Sequence, residues 1–316
     1  MYAPWVRNIF IVTNGQIPAW LNRNNPKVSI VSHSEIFAHS NDLPCFNSNA
    51  IEANIHKIKN LSTKFIYFND DFALARPICL SNFWTKESGY KLIFGSEIAR
   101  NYDLNDCPKD CLTTYYADGV CNEHCNKLTC VWDGNDCDAK EPDNQKPDGR
   151  IALLRSVQYV NVLYDRNLIN EIRWTAQDHI PIMLNRHIMT ELQAKFSREY
   201  AVTSAHKIRR KNDMNFQFSY IGWLMQAPRS AISIDIALYN YTTEEKNGRT
   251  KYVGYFNEMW KNLGQLESLM KMTNENLTYF CINDLMDHSE PEAATAKFYL
   301  EQFYEIMYPQ KSSFEV

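Results

Sequence analysis

The sequence predicts an α/β fold, a mixed sheet with flanking helices, interrupted by a small disulfide-rich module. Three observations lead there. Short β-rich runs alternate with segments of helical spacing, two of those runs end in Asn-Asp, and six of the nine cysteines fall between residues 107 and 137. With 316 residues, 45% hydrophobic and 13% aromatic, the chain has the apolar material for a full core.

Residues 8–13 and 27–32 are the first strand candidates, and 50–61 has helical spacing. The strand at 64–68 then delivers Asn69, Asp70 and Asp71 at its C-terminal end, where open α/β sheets hold their ligands. From residue 101 the composition shifts to Cys, Asp, Asn and Gly, and cross-links must replace a core. A polar linker with Pro142 and Pro147 follows. Residues 151–164 read as β-rich, 182–196 and 212–225 as helices, 232–250 as strands or loop, and 252–272 as helix. A β-rich run at 277–282 ends in Asn283 and Asp284, and 293–307 closes the chain as an amphipathic helix. The expected division is a core at 1–100, the cysteine module at 101–140, a linker at 141–150 and the rest of the core at 151–316.

A net charge of -4 and a pI near 6.1 give no broad basic face, which argues against nucleic-acid binding. The apolar runs at 9–12 and 65–68 fall far short of the roughly 20 residues that span a bilayer. The opening MYAPWVRNIF has no basic start, apolar stretch or small-residue cleavage site, so a targeting segment is expected to be missing from this sequence. The cysteine density and the sequons at Asn60, Asn240 and Asn276 fit an oxidising, luminal setting.

The module reads Cys107-x3-Cys111-x9-Cys121-x3-Cys125-x4-Cys130-x6-Cys137, with Asp118-Gly119 and Trp132-Asp133-Gly134-Asn135-Asp136 between the cysteines. Carboxylates at Asp118, Asp133 and Asp136 would repel one another without a hard cation, and oxygen donors suit calcium. A zinc knuckle with thiolate ligands is the alternative, and it leaves the acidic cluster unexplained. The spacing resembles the Lin12-Notch repeat. That resemblance implies Ca2+ on Asp118, Asp133 and Asp136 with the carbonyl near Tyr115, and the pairs Cys107–Cys130, Cys111–Cys125 and Cys121–Cys137. Cys45, Cys79 and Cys281 read as buried thiols.

The segments YAPWVRNIFIVTNGQIPAWLN, SNAIEANIHKI and FIYFNDDFAL, then DHIPIMLNRHIMTEL with AHKIRRKNDMNFQFSY, and FCINDLMDH with FYEIMYP resemble the second, third and fourth conserved regions of the Stealth family, in the family's order. The resemblance implies a Rossmann-like nucleotide-sugar transferase core. The animal placement of the cysteine repeat implies transfer of GlcNAc-1-phosphate from UDP-GlcNAc to mannose on high-mannose N-glycans of lysosomal hydrolases. It further implies a Golgi lumen setting with a membrane-anchored longer form, a gamma-type subunit and a homodimer. The family's first conserved region, a strand with a TWV(N/D)G-like motif, is expected before Tyr2, and neither a second cysteine repeat nor an EF-hand spacing at 233–250 is present.

The chemistry asks for these residue types independently. Transfer of a sugar phosphate builds negative charge on phosphate oxygens, which a divalent cation and an arginine stabilise. Asp70 and Asp71, with Asn283 and Asp284, suit Mg2+ or Mn2+; the alternative for such an Asn-Asp run is a strand-end turn. Arg209 is the candidate phosphate clamp, with Lys207, Arg7 and Asn69 as substrate contacts, while Arg210 and Lys211 read as a solvated face. Glu52 and His56, four apart on a helix, read either as orienting and proton-transfer groups or as a surface pair. His179 is the candidate base for the acceptor hydroxyl, on the strength of the resemblance. An incomplete or inactive relative that binds partner proteins, and a Stealth-type polysaccharide phosphotransferase, are the competing functions.

Mass spectrometry of the non-reduced chain, digested and alkylated, should find no free thiol between residues 107 and 137. Six alkylatable thiols that release zinc would return the module to the zinc reading.

Overall fold

The computed structural model describes residues 2–87, 89–92, 94–97, 103–137, 149–167, 175–177, 180–226, 245–246, 249–250, 254–259, 277–284, 289 and 291–315. Strand β1 (Ile9–Thr13) runs parallel to β2 (Val28–Ser32), with Ile9 opposite Val28. Helix α1 (Ser48–Asn54) begins at Asn47, whose side chain accepts from the Asn49 N–H at 3.1 Å. The apolar 64–68 run becomes β3 (Lys64–Tyr67), antiparallel to β5 (Ile182–Asn185) with Phe65 opposite Leu184. The short β4 (Phe72–Leu74) lies antiparallel to β7 (Tyr279–Asp284), which pairs in parallel with β6 (Gly254–Met259) on its other side. Among the described residues, then, the strands form sheets of two or three.

The main core joins both halves of the sequence. Ala50 and Ala53 from α1 are fully buried with Leu163 of α2 (Gly149–Asn167) and Leu184 of β5, together with Leu192 of α3 (Arg186–Lys195) and Tyr220 of α5 (Phe216–Gln226). Between α3 and α5 runs α4 (Ser197–Ala205), which packs on α1 through Asn54 Nδ2 and Ser204 Oγ at 3.0 Å. The closing helix α6 (Pro291–Met307) sets Phe303 edge-on against Phe280 of β7, with ring centroids 5.4 Å apart.

Three elements differ from the sequence reading in type, and two more in their bounds. Residues 151–164 are helical: the buried Ala152, Ser156, Tyr159, Val160 and Leu163 recur at helical spacing, and their packing outweighs the β preference of the valines. The 182–196 run begins as a strand, because Ile182, Met183, Leu184 and Asn185 are buried on both faces. Asn185 then caps α3 by accepting from the His187 N–H at 2.9 Å. Residues 254–259 of the expected 252–272 helix are strand β6, supported by the ladder to β7, and 260–272 lie outside the described residues. The 50–61 helix gives way to a 3-10 turn at Ile55–Lys57, and the 212–225 helix starts only at Phe216.

In the cysteine module the three disulfides join Cys107–Cys130, Cys111–Cys125 and Cys121–Cys137. All six sulfurs are thereby used, which leaves the module no thiolate for zinc. Cys45 and Cys281 are buried as expected, but Cys79 is exposed, at the start of a surface 3-10 turn where its N–H donates to Asn82 Oδ1 at 2.8 Å.

Candidate active site

The two Asn-Asp strand ends meet. The Ile282 N–H donates to the Asp71 carbonyl at 3.1 Å, so the end of β7 lies beside the turn between β3 and β4. Asp71 is fixed at both oxygens: Asn69 Nδ2 donates to Oδ1 at 2.7 Å, and the Cys281 thiol donates to Oδ2 at 3.2 Å. Burial, then the neighbouring Asp71, push the Cys281 thiol far up, so it stays protonated as that donor. Each carboxylate oxygen keeps a second lone pair, so Asp71 is oriented and still able to bind a cation. Asp70 is exposed beside it. Asn283 is half-buried on β7, while the Asp284 side chain and all of His179 lie outside the described residues.

Tyr67, at the end of β3, links this turn to α1. Its hydroxyl lies 3.0 Å from Glu52 Oε1 and 3.1 Å from Asn69 Oδ1. Tyr67 and Asn69 are two apart, so the extended chain presents both to one side. Burial pushes the Glu52 carboxyl up to about 7, opposed by the Tyr67 hydroxyl and Arg209 and reinforced by Asp71 and Asp70. The phenol of Tyr67 is raised in turn, by burial first and then by Glu52. Arg209 Nη2 reaches Ser48 Oγ at 2.5 Å, at the first turn of the helix that carries Glu52. One buried carboxyl, pushed up toward neutrality, thus lies near an arginine and the oriented Asp71.

The remaining candidates fall outside that cluster. His56 is buried with Nδ1 3.0 Å from the Ala53 carbonyl, and burial followed by Lys57 pushes it down to about 4. The switch from α-helix to 3-10 turn between Glu52 and His56 gives them separate partners, so they form no pair. Lys207 is exposed, with Nζ 3.0 Å from the Leu43 carbonyl, and Arg7 is exposed, with Nη2 3.1 Å from Ser62 Oγ. Tyr67 and Ser48 have no place in the sequence reading, and Cys281 enters it only as a buried thiol. The alternation of Tyr67 with Asn69 was the available signal for the first; nothing local marks the other two.

In the cysteine module Asp133 is fully buried: Oδ2 accepts from the Asn122 N–H at 2.7 Å, and Oδ1 has no hydrogen-bond partner. Such an orphaned oxygen fits a hard cation. Asp136 accepts from the Gly119 N–H at 2.7 Å and from Arg198, Asp118 Oδ1 accepts from the Val120 N–H at 2.8 Å, and the Tyr115 carbonyl accepts from the Asp118 N–H at 3.3 Å. The three carboxylates do not converge on one point, so Asp133 is the oxygen that most needs a cation.

Comparison with known proteins bears on this arrangement. Three family signatures match in order: Stealth protein conserved region 2 at residues 1–92, region 3 at 178–226 and region 4 at 273–316. The LNR domain signature matches residues 104–138. The chain belongs to the Stealth family. It is 44% identical over 144 residues to the N-acetylglucosamine-1-phosphotransferase subunits alpha/beta of Mus musculus, which covers 46% of this chain and 11% of the mouse protein. Its similarity to the Homo sapiens protein of that name is 45% over 136 residues, 43% of this chain and 10% of the human one. A capsular polysaccharide phosphotransferase of Haemophilus influenzae is 31% identical over 284 residues, covering 90% of this chain and 63% of the relative. This Stealth chain therefore spans about a tenth of its mammalian relatives and under two thirds of the bacterial one. The Glu52, Tyr67, Asp70 and Asp71 cluster lies within region 2, Arg209 within region 3 and Cys281 within region 4, so one site draws on all three regions.

Glu52 takes up its proton more readily in the folded chain than unfolded, so its ionisation opposes folding as pH rises from the unfolded value of 4.5 through about 7. Glu52→Gln removes that opposition. Its melting temperature relative to wild type should rise across this window and level off above it; a pH-independent difference would mean that Glu52 titrates as an ordinary carboxyl.

Proposed function

We propose that this Stealth chain is the catalytic part of a sugar-phosphate transferase, moving GlcNAc-1-phosphate from UDP-GlcNAc to a mannose hydroxyl on high-mannose N-glycans of lysosomal hydrolases. The observation that carries the reading is the convergence of an oriented aspartate, a proton-accepting buried carboxyl and an arginine at the junction of three Stealth regions. The LNR domain and the stronger identity to the mouse and human proteins favour the N-glycan acceptor. The parallel pairs β1–β2 and β6–β7 are compatible with a Rossmann-like nucleotide-sugar core.

In this reading the acceptor oxygen forms a new bond to the phosphorus next to GlcNAc, the bond from that phosphorus to the bridging oxygen breaks, and UMP leaves. The acceptor proton passes to His179. Glu52 holds or accepts a proton beside the reacting groups, and Tyr67 keeps its carboxyl in register with Asp71. Arg209 receives the phosphate oxygens through its planar fork. Asp71, with Asp70, Asn283 and Asp284, would hold magnesium or manganese, whose charge offsets that of the phosphates. Asp133, whose Oδ1 is buried without a hydrogen-bond partner, would be the residue that holds calcium in the LNR domain. The setting is the Golgi lumen, with a gamma-type subunit and a second copy as candidate partners.

A second reading, transfer onto a polysaccharide, is favoured by the bacterial relative that aligns with 90% of this chain. The chain, alone and joined to a Stealth first conserved region, should be assayed with UDP-GlcNAc against mannosides and capsular acceptors. Asp71→Ala and Arg209→Ala should each lower turnover by about a hundredfold or more while the chain remains folded. His179→Ala should keep nucleotide and metal binding while losing transfer. Wild-type-like turnover in Asp71→Ala would refute the site, turnover on capsular acceptors alone would establish the second reading, and a stable, inactive chain would favour a binding protein.

Luminal passage also makes Asn60 a glycosylation site: it is exposed in a left-handed turn, with Ser62 completing the sequon. Chain secreted from animal cells should carry a glycan removable by amidase there, absent in Asn60→Gln. An unmodified Asn60 in secreted protein would overturn that assignment.

A further inference from the structure

The LNR domain is sewn into the main body along a line that leads to Arg209. Val131 of the module is fully buried in the main core. Arg166 of α2 donates through Nε to the Thr129 carbonyl at 2.8 Å and through Nη2 to the Leu104 carbonyl at 3.3 Å. Arg198 of α4 pairs with Asp136 and reaches the Ala117 carbonyl at 3.4 Å. Helix α4, which carries Arg198 in its first turn, ends at Ala205 and leads into the loop 206–213.

The other end is tied by side chains. Asn135 donates through Nδ2 to the Tyr159 hydroxyl at 2.6 Å and accepts at Oδ1 from Asn212 Nδ2 at 3.3 Å. Next to it, the Lys211 ammonium sits 4.0 Å from the centroid of the Trp132 ring. Asn212 and Asp213 are both buried, and Asp213 accepts from the Arg210 N–H at 2.8 Å, which fixes the turn that exposes the Arg209 side chain to Ser48. Asn135 has a left-handed backbone with φ of 71°, a conformation that asparagine and glycine adopt more readily than other residues. Its backbone is thus held within the module while its side chain reaches out to Tyr159 of α2 and to the loop.

We propose that Asn135 of the LNR domain is a positioning residue for the Arg209 loop, acting through Asn212, so that the module forms one wall of the transferase site. The proposal rests on the catalytic reading for its consequence, but its structural content is testable without turnover. Asn135→Gly deletes the side chain at a backbone angle that glycine accepts. Asn212→Ala deletes the partner and leaves the module's own sequence intact.

The full chain and both variants, singly and combined, should be compared by hydrogen–deuterium exchange with the disulfides verified by mass spectrometry. Exchange across 206–213 should quicken in each single variant, the double variant should be no faster than the faster single, and segments 48–57 and 107–137 should keep their protection. If Asn135→Gly loosens the module as well, Asn212→Ala alone decides: faster exchange at 206–213 with the module protected supports the link. Unchanged exchange at 206–213 in Asn212→Ala overturns it. In parallel, turnover with UDP-GlcNAc should fall about tenfold or more in either variant, as misplacement of a charged clamp demands. A wild type without turnover but with the expected exchange pattern would sink the catalytic reading and leave the link standing. Wild-type turnover in both variants, with exchange quickened, would sink the claim that the link positions the clamp.

Discussion

The buried carboxylate of Asp213 is the interaction on which the site depends. It is fully buried and receives Asn47 Nδ2 at 2.8 Å, the Arg210 N–H at 2.8 Å and His206 Nδ1 at 2.7 Å. A carboxylate taken out of water is costly unless its oxygens are satisfied, so these donors have little freedom to leave. Asn47 is at the same time the cap of α1. One side chain therefore sets both where the Glu52 helix begins and where the Arg209 loop lies, and the two cannot shift independently.

A second constraint comes from the sheet that joins β4 to β7. Pairing of Phe72 with Cys281 puts the thiol within reach of Asp71, and the aspartate is then held from Asn69 on its own turn and from a strand far along the chain. Tyr67 extends the chain of contacts to Glu52. Hydrogen bonds in such a row strengthen one another in a low-dielectric interior, and loss of one member leaves its neighbours unsatisfied. This holds Asn69 and Asp71 in place where the composition of the run alone would suit an ordinary solvated turn.

The LNR domain adds what a short disulfide module cannot supply by itself. Three cross-links compensate for its small core, and Val131 with Arg166 and Arg198 anchors it to the larger one. Lys211, read from sequence as part of a solvated face, lies over Trp132 of the module. Positive charge in this loop is therefore divided between Arg209, which faces Ser48 of α1, and Lys211, which faces the module.

The sequence by itself determined the class of fold, the cysteine module and its acidic residues, and the pair of Asn-Asp strand ends, because spacing and composition are local properties that survive without coordinates. It misread 151–164 and the starts of 182–196 and 252–272, where a continuous apolar run satisfies helix and strand alike and only burial on one or two faces chooses. Glu52 was legible as a candidate but not its partner: the choice between His56 and Tyr67 turns on where α1 tightens into a 3-10 turn. Ser48, Cys281, Asn135 and Asp213 gained their roles only in three dimensions. Each acts across 77 residues or more in its decisive contact, or 166 for Asp213 with Asn47, and contacts at that separation are fixed by the packed core that brings the segments together.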